Sequence, residues 1–200
     1  MKDGSWQRAY EAIVQSHRGL LDLSSGHFDG THTPAKRGGE AVAYQGRKKQ
    51  KTSNTLWLVD AKGLPVSFSK PVAGNHHDLF QNETYLKSIH KQMNNMNLST
   101  EGLFINADAG FDSKEFRNNC QRYGITPNIS SNNRNTNDLG DDYVYFDELL
   151  YDSRYIVERT NAWMGSNRIL LIRHETILRN WIGWHYMFCI KQWVNEISKL

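Results

Sequence analysis

The 200-residue sequence holds only two cysteines, Cys120 and Cys189, far apart along the chain. That scarcity excludes a disulfide framework and any paired-cysteine zinc site, and it fits a reducing cytoplasm. Long apolar runs are missing too. The longest, Trp181 to Ile190, is interrupted by Gly183 and His185, short of the roughly 20 apolar residues that a membrane-spanning helix needs. The opening Met1-Lys2-Asp3-Gly4-Ser5 has no apolar signal core. Neither sign of charge dominates, with 24 Lys and Arg against 21 Asp and Glu and a net charge of +3. Such a balance is compatible with a polyanionic partner without requiring one, so a nucleic-acid case must rest on local clusters. There is no internal repeat. What remains, 38% hydrophobic and 22% charged residues, is the composition of one globular domain with a buried core.

Hydrophobic periodicity orders that domain. Trp6 to Leu21 reads as an amphipathic helix, Ser24-Ser25-Gly26 breaks it, and His27 to Pro34 reads as extended. Thr55 to Val59 is rich in strand formers, Lys62-Gly63 supplies a turn, and Leu64, Val66 and Phe68 alternate at period two, which predicts a hairpin. Leu79, Leu86, Ile89, Met93 and Met96 fall on one helical face, with Asp78 expected as the N-cap. Leu103-Phe104-Ile105 predicts a doubly buried strand that ends at Asn106 and Asp108. Ser113 is expected to cap a helix burying Phe116, Cys120 and Tyr123, closed by Gly124, before a strand over Ile125 to Ile129. Ser130 to Asp142 reads as a mobile polar loop. Tyr151 to Trp163 and about Thr176 to Ile197 read as helices, the last an aromatic-rich core or subunit contact. This order gives an α/β layered domain.

Three acids stand on different elements: Asp29 in the first strand, Asp108 at the end of the buried strand and Glu158 on a late helix. Their wide spacing rules out a local metal loop and suits a site assembled by tertiary folding. Hard Mg²⁺ or Mn²⁺ prefers carboxylate oxygens, and two such ions serve phosphoryl transfer. Taken singly, each acid is better explained as a turn former than as a catalytic group. Residues three, four and seven apart share a helix face, so Tyr151, Arg154 and Glu158 are expected together, either as a phosphate and metal contact or as an exposed ion pair.

Three ordered blocks resemble the Asp-Asp-Glu transposases of bacterial insertion sequences. They are Phe28-Asp29-Gly30-Thr31-His32 with the basic residues behind it, Asn106-Ala107-Asp108-Ala109-Gly110-Phe111-Asp112-Ser113, and Tyr151, Arg154, Glu158, Arg159, Thr160 and Trp163. The resemblance implies a ribonuclease H-like fold, a mixed sheet of three antiparallel strands followed by parallel ones, flanked by helices. It also implies two Mg²⁺ or Mn²⁺ ions on Asp29, Asp108 and Glu158. The activity implied is cleavage at element ends and transfer of the 3′-hydroxyl into target DNA, by a homodimer on double-stranded DNA in a bacterial, nucleoid-associated setting. Residues 26–200 would form the catalytic domain, and residues 1–25 the tail of a DNA-binding domain that the family carries and this sequence lacks. A nuclease of the same fold and an inactive truncated remnant are the alternative readings.

Several residues carry two readings each. Lys36, Arg37, Arg47, Lys48, Lys49 and Lys51 are DNA-backbone contacts or a solvated hairpin rim. His76, in Asn75-His76-His77-Asp78, is a substrate contact or polar surface. Asp112 is expected to cap a helix, and Trp163 to be core in preference to a base-stacking platform. Where the resemblance expects a Lys seven residues beyond Glu158 the chain has Gly165, and Arg168, one turn on, is the candidate replacement.

Overall fold

The computed structural model describes residues 4–131 and 145–200. Of the polar loop expected over Ser130 to Asp142, all but Ser130 and Ser131 lies outside the described residues.

The sheet is built around the long strand β3 (Gln50–Asp60), which pairs antiparallel along nearly its whole length with β1 (Gly26–Pro34). The opposite edge of β3 is shared by three short strands in succession, β2 (Ala43–Gln45), β5 (Val72–Ala73) and β4 (Pro65–Phe68). On its other side β1 pairs in parallel with β6 (Phe104–Ala107), and β6 pairs in parallel with β7 (Thr126–Ile129). Antiparallel hairpin strands followed by parallel strands reached through helical crossovers are the mixed sheet that the resemblance implies. All four residues of β4 are buried, so its alternation does not mark one wet face. Helices cover both sides of it.

Those helices are α1 (Ser5–Ser16), α2 (Asn82–Asn95), α3 (Lys114–Arg122), α4 (Glu148–Asp152), α5 (Tyr155–Ser166), α6 (Arg168–Leu171) and α7 (Leu178–Ile197). The helix expected to run to Leu21 ends at Ser16 and is followed by a short 3₁₀ turn, Arg18–Leu20. Helix α7 buries Trp181, His185, Phe188, Cys189 and Trp193 against the sheet, and the Trp193 indole donates to Pro65 O at 2.9 Å. On β1, Phe28 enters the core against Phe111 and Phe116. Its neighbours His27 and Asp29 therefore point to the other face, because side chains alternate along a strand.

One expected helix start, at Asp78, and one expected capping role, that of Asp112, are corrected, whereas Ser113 caps α3 as expected. Helix α2 begins at Asn82, after Gln81 in a left-handed conformation (φ 56°), because the Asp78 carboxylate is engaged elsewhere. It accepts from Asn54 Nδ2 at 2.6 Å and lies 4.0 Å from His32 Nε2. A Cβ on Gly30 would overlap this carboxylate, so the glycine beside Asp29 makes room for Asp78. In α3 the cap is Ser113, whose Oγ accepts from Phe116 N at 3.2 Å. Asp112 instead receives two hydrogen bonds from the Arg117 guanidinium, at 2.9 and 2.8 Å, in a buried ion pair.

The single helix expected over Tyr151 to Trp163 is two. Around Ser153 the backbone makes three-residue turns, with Arg154 N donating to Tyr151 O at 2.9 Å and Ile156 N to Ser153 O at 3.0 Å. Ser153 Oγ takes the Leu150 carbonyl at 2.6 Å, the local competition by which serine interrupts helices. Residues three apart eclipse in such a turn, and the Arg154 guanidinium lies 5.9 Å from the centre of the Tyr151 ring.

Candidate active site

Register places the first two acids. Phe28 pairs with Ala107 at the end of the β1–β6 ladder. One step further along both chains come Asp29 and Asp108, and Asp108 keeps the extended direction of β6 (φ −71°, ψ 167°). The two carboxylates thus stand side by side where the β1–β6 pairing ends, and Asp29 feels the charge of Asp108. Burial lifts the Asp29 carboxyl from its ordinary range to about 6, opposed by a hydrogen bond from the Gly30 backbone and reinforced by the charges of Asp108 and Asp78. Asp108 is fixed from its own loop, Oδ1 accepting from Gly110 N at 2.7 Å.

Helix α5 packs across β1 and β3 on the Asp29 face. Asn161 is its contact with the acid, donating through Nδ2 to Asp29 Oδ2 at 3.0 Å while Oδ1 accepts from Thr31 Oγ1 at 2.8 Å. Asn161 escapes the sequence reading, although it lies three residues past Glu158 and so on the same helix face. Glu158 itself is 62% exposed and sits 3.6 Å from Arg154 Nη2. The Arg154 charge reaches both Asp29 and His27. Tyr151, Arg154 and Glu158 are thus in sequential contact despite the helix break.

Convergence is therefore incomplete. Among the described residues no three His, Cys, Asp or Glu side chains lie close enough to hold one metal ion. Asp29 and Asp108 fit a divalent cation as donors: hard oxygen ligands, brought together as like charges, one of them in a desolvated position. Glu158 does not complete the set while it faces Arg154.

The basic residues form an exposed rim at the β2–β3 hairpin, with Lys36 and Arg37 beyond the end of β1 and Arg47, Lys48, Lys49 and Lys51 at and after the turn. Lys48 Nζ donates to His32 O at 3.4 Å, which brings the rim to the strand that carries Asp29. His76 is turned from Asp78: it stacks on Phe80 at 3.6 Å and lines a separate cavity with Phe68, Tyr85 and Tyr186. Trp163, expected in the core, is 37% exposed, with Arg159 stacked 5.2 Å from its ring. Arg168 opens α6 on a cavity of about 320 Å³ beside Trp184 and Met187 of α7.

A family model described as a transposase DDE domain matches residues 25–191. The chain belongs to that family. None of the curated proteins matches the sequence. Among solved structures, a synaptic complex of piggyBac transposase with hairpin DNA is similar at a TM-score of 0.54 and 11% identity, over 89% of this chain and 48% of that one. This likeness concerns the fold, which is ribonuclease H-like. A Mos1 mariner paired end complex with Mn gives a TM-score of 0.45 at 9% identity, over 97% and 59% of the two chains. A simian T-cell lymphotropic virus intasome bound to PP2A regulatory subunit B56 gamma gives 0.44 at 18%, over 74% and 40%. The DDE domain chain thus spans about half the length of these structures. Among its described residues no helix is long and apolar enough to cross a membrane.

Proposed function

We propose that this chain is the catalytic part of a DNA transposase that cleaves at the ends of its element and joins the resulting 3′ end to target DNA. The observation that carries the reading is the juxtaposition of Asp29 and Asp108 one step past the last paired residues of β1 and β6, beneath a helix presenting Arg154 and Glu158.

In the first step a water oxygen bonds to the phosphorus at the element's end, losing its proton, and the 3′ oxygen leaves and is protonated. The products are a 5′-phosphate and a 3′-hydroxyl. In the second step the oxygen of that hydroxyl bonds to a target phosphorus, losing its proton, and a target 3′ oxygen leaves and is protonated. Asp29, Asp108 and Glu158 would hold two Mg²⁺ or Mn²⁺ ions, whose chemistry is to stabilise charge on the attacking and leaving oxygens. Asn161 orients Asp29. Arg154, backed by the Tyr151 ring, exchanges Glu158 for a DNA phosphate, which releases the carboxylate toward the aspartate pair. The hairpin rim of Lys and Arg tracks the flanking backbone. A dimer on double-stranded DNA follows from the need to bring two ends together.

Incubation with duplex DNA carrying the element's own ends, in Mg²⁺ or Mn²⁺, tests the proposal. Cleaved ends together with joined product are expected. Cleavage without joining identifies a nuclease of the same fold, and intact DNA under both metals contradicts a catalytic role.

A further inference from the structure

Beneath the carboxylate pair lies a second row of polar side chains. His27 pairs with Asn106 across β1 and β6, and Asn106 with Asn128 across β6 and β7, so the three stand side by side on neighbouring strands. Each is fully buried. Asp29 follows His27 by two residues and Asp108 follows Asn106 by two, the strand period, so the row occupies the face of the acids one layer deeper. Asn106 Nδ2 lies 3.4 Å from His27 Nδ1, and Asn128 Nδ2 donates to Asn106 Oδ1 at 2.7 Å.

The row does not end at the sheet. The Asn128 carboxamide clasps the backbone of Asp147, accepting from its N–H at 2.7 Å and donating to its carbonyl at 2.8 Å. Asp147 is the N-cap of α4: its Oδ1 accepts from Leu150 N at 3.0 Å and its carbonyl from Tyr151 N at 3.0 Å. Helix α4 continues through the Ser153 turn into Arg154 and Glu158. One side chain on β7 is therefore hydrogen-bonded both to the strand that leads into Asp108 and to the cap of the helix pair that brings the third acid. Apolar side chains would fill the same space more cheaply, since a buried amide is costly unless every donor and acceptor is met.

We propose that Asn128, through Asn106 and Asp147, is a positioning residue that sets α4 and the Arg154–Glu158 end of α5 at a fixed height over Asp29 and Asp108. Its role over the acids rests on the proposed function, whereas the anchoring of α4 does not. Truncating Asn128 cuts the tie at Asp147 and leaves the β1–β6 pairing, and with it the two aspartates, in place.

Hydrogen exchange followed residue by residue, in wild type, Asn128→Ala and the remote core variant Met96→Ala, tests the anchoring. In Asn128→Ala the amides of Leu150, Tyr151 and Val157 should exchange at least tenfold faster, while those of β1 and β3 keep their wild-type rates relative to global stability. Met96→Ala should leave that ratio unchanged. Equal exchange in α4 for wild type and Asn128→Ala, or the same acceleration in Met96→Ala, overturns the proposal. Should Asn128→Ala fail to fold, the isosteric Asn128→Asp, which loses both donors, is read the same way. On element-end DNA, single-turnover cleavage by Asn128→Ala should fall at least tenfold with DNA affinity within twofold of wild type. Loosened α4 with unaltered cleavage overturns the positioning role. Wild-type protein that does not cleave contradicts the function and leaves the exchange test of the anchoring standing.

Discussion

Asp108 accepts the Gly110 amide through one oxygen, a bond that the carboxamide of asparagine would keep. Asp108→Asn should therefore leave the unfolding midpoint near wild type while lowering cleavage by at least about a thousandfold, as expected when a metal-binding charge is removed from a phosphoryl-transfer site. Thermal melts beside a cleavage assay check this, and unchanged activity would remove Asp108 from the site. Asn161 holds Asp29 through a hydrogen bond to a charged oxygen, a type of bond that contributes about 1.5–3 kcal/mol. Asn161→Ala should lower the single-turnover rate by about 10- to 100-fold with little change in DNA affinity. A rate within twofold of wild type would make the contact incidental. Both aspartates stood out in the sequence, Asp29 within the predicted first strand and Asp108 at the end of the buried one, inside blocks that resemble a transposase. Asn161 was not, because an asparagine on a helix carries no chemical signature until the strand beneath it is known. Asp78 was misread for a related reason: its N-cap position is a local signal, and the tertiary partners Asn54 and His32 outcompete it.

At the level of elements, β7 and α3 are locked by the Asp112–Arg117 pair, since Arg117 Nη2 also donates to Ile129 O at 3.0 Å. Arg117→Met takes two hydrogen bonds and the counter-charge from a buried carboxylate and one hydrogen bond from Ile129 O, so it should destabilise the fold by about 3–5 kcal/mol. Urea unfolding measures this, and a loss under about 1 kcal/mol would show the pair to be well solvated. The succession of strands and helices along the chain was readable from period changes and turn residues, whereas the arrangement of the sheet followed only from the family resemblance, and the short strands β2 and β5 carried no signal of their own. The break at Ser153 was not, because the apolar period of Tyr151 to Trp163 runs through it and the interruption depends on one serine hydroxyl finding the Leu150 carbonyl. Likewise Trp163 looks like core by spacing, yet it lies on the outer side of α5 under Arg159. The polar row of His27, Asn106 and Asn128 sits in segments that read as strand, and only the register of β1, β6 and β7 aligns it.

For the whole molecule, stability should depend on pH through its buried histidines. Burial pushes His185 and His27 down to about 4. A histidine ordinarily titrates near 6.5 when unfolded, so the unfolded chain binds more protons between those values. The contribution of each is complete above about pH 6.5 and is lost as the pH falls through about 4. Asp29, lifted to about 6, works in the opposite sense, so the clean measurement is a difference. Between pH 7 and 4, His185→Gln should gain about 3 kcal/mol on wild type, read from urea midpoints. A constant difference would show that His185 is protonated within the fold. The account as a whole turns on whether the aspartate pair and Glu158 gather around shared cations. A crystal of the protein bound to element-end DNA and Mn²⁺, phased on the manganese signal, tests this most directly. Manganese peaks touching Asp29 and Asp108, with Glu158 turned from Arg154 to complete the ligands, are predicted. Manganese bound elsewhere, with Glu158 still on Arg154 and DNA in place, would contradict it.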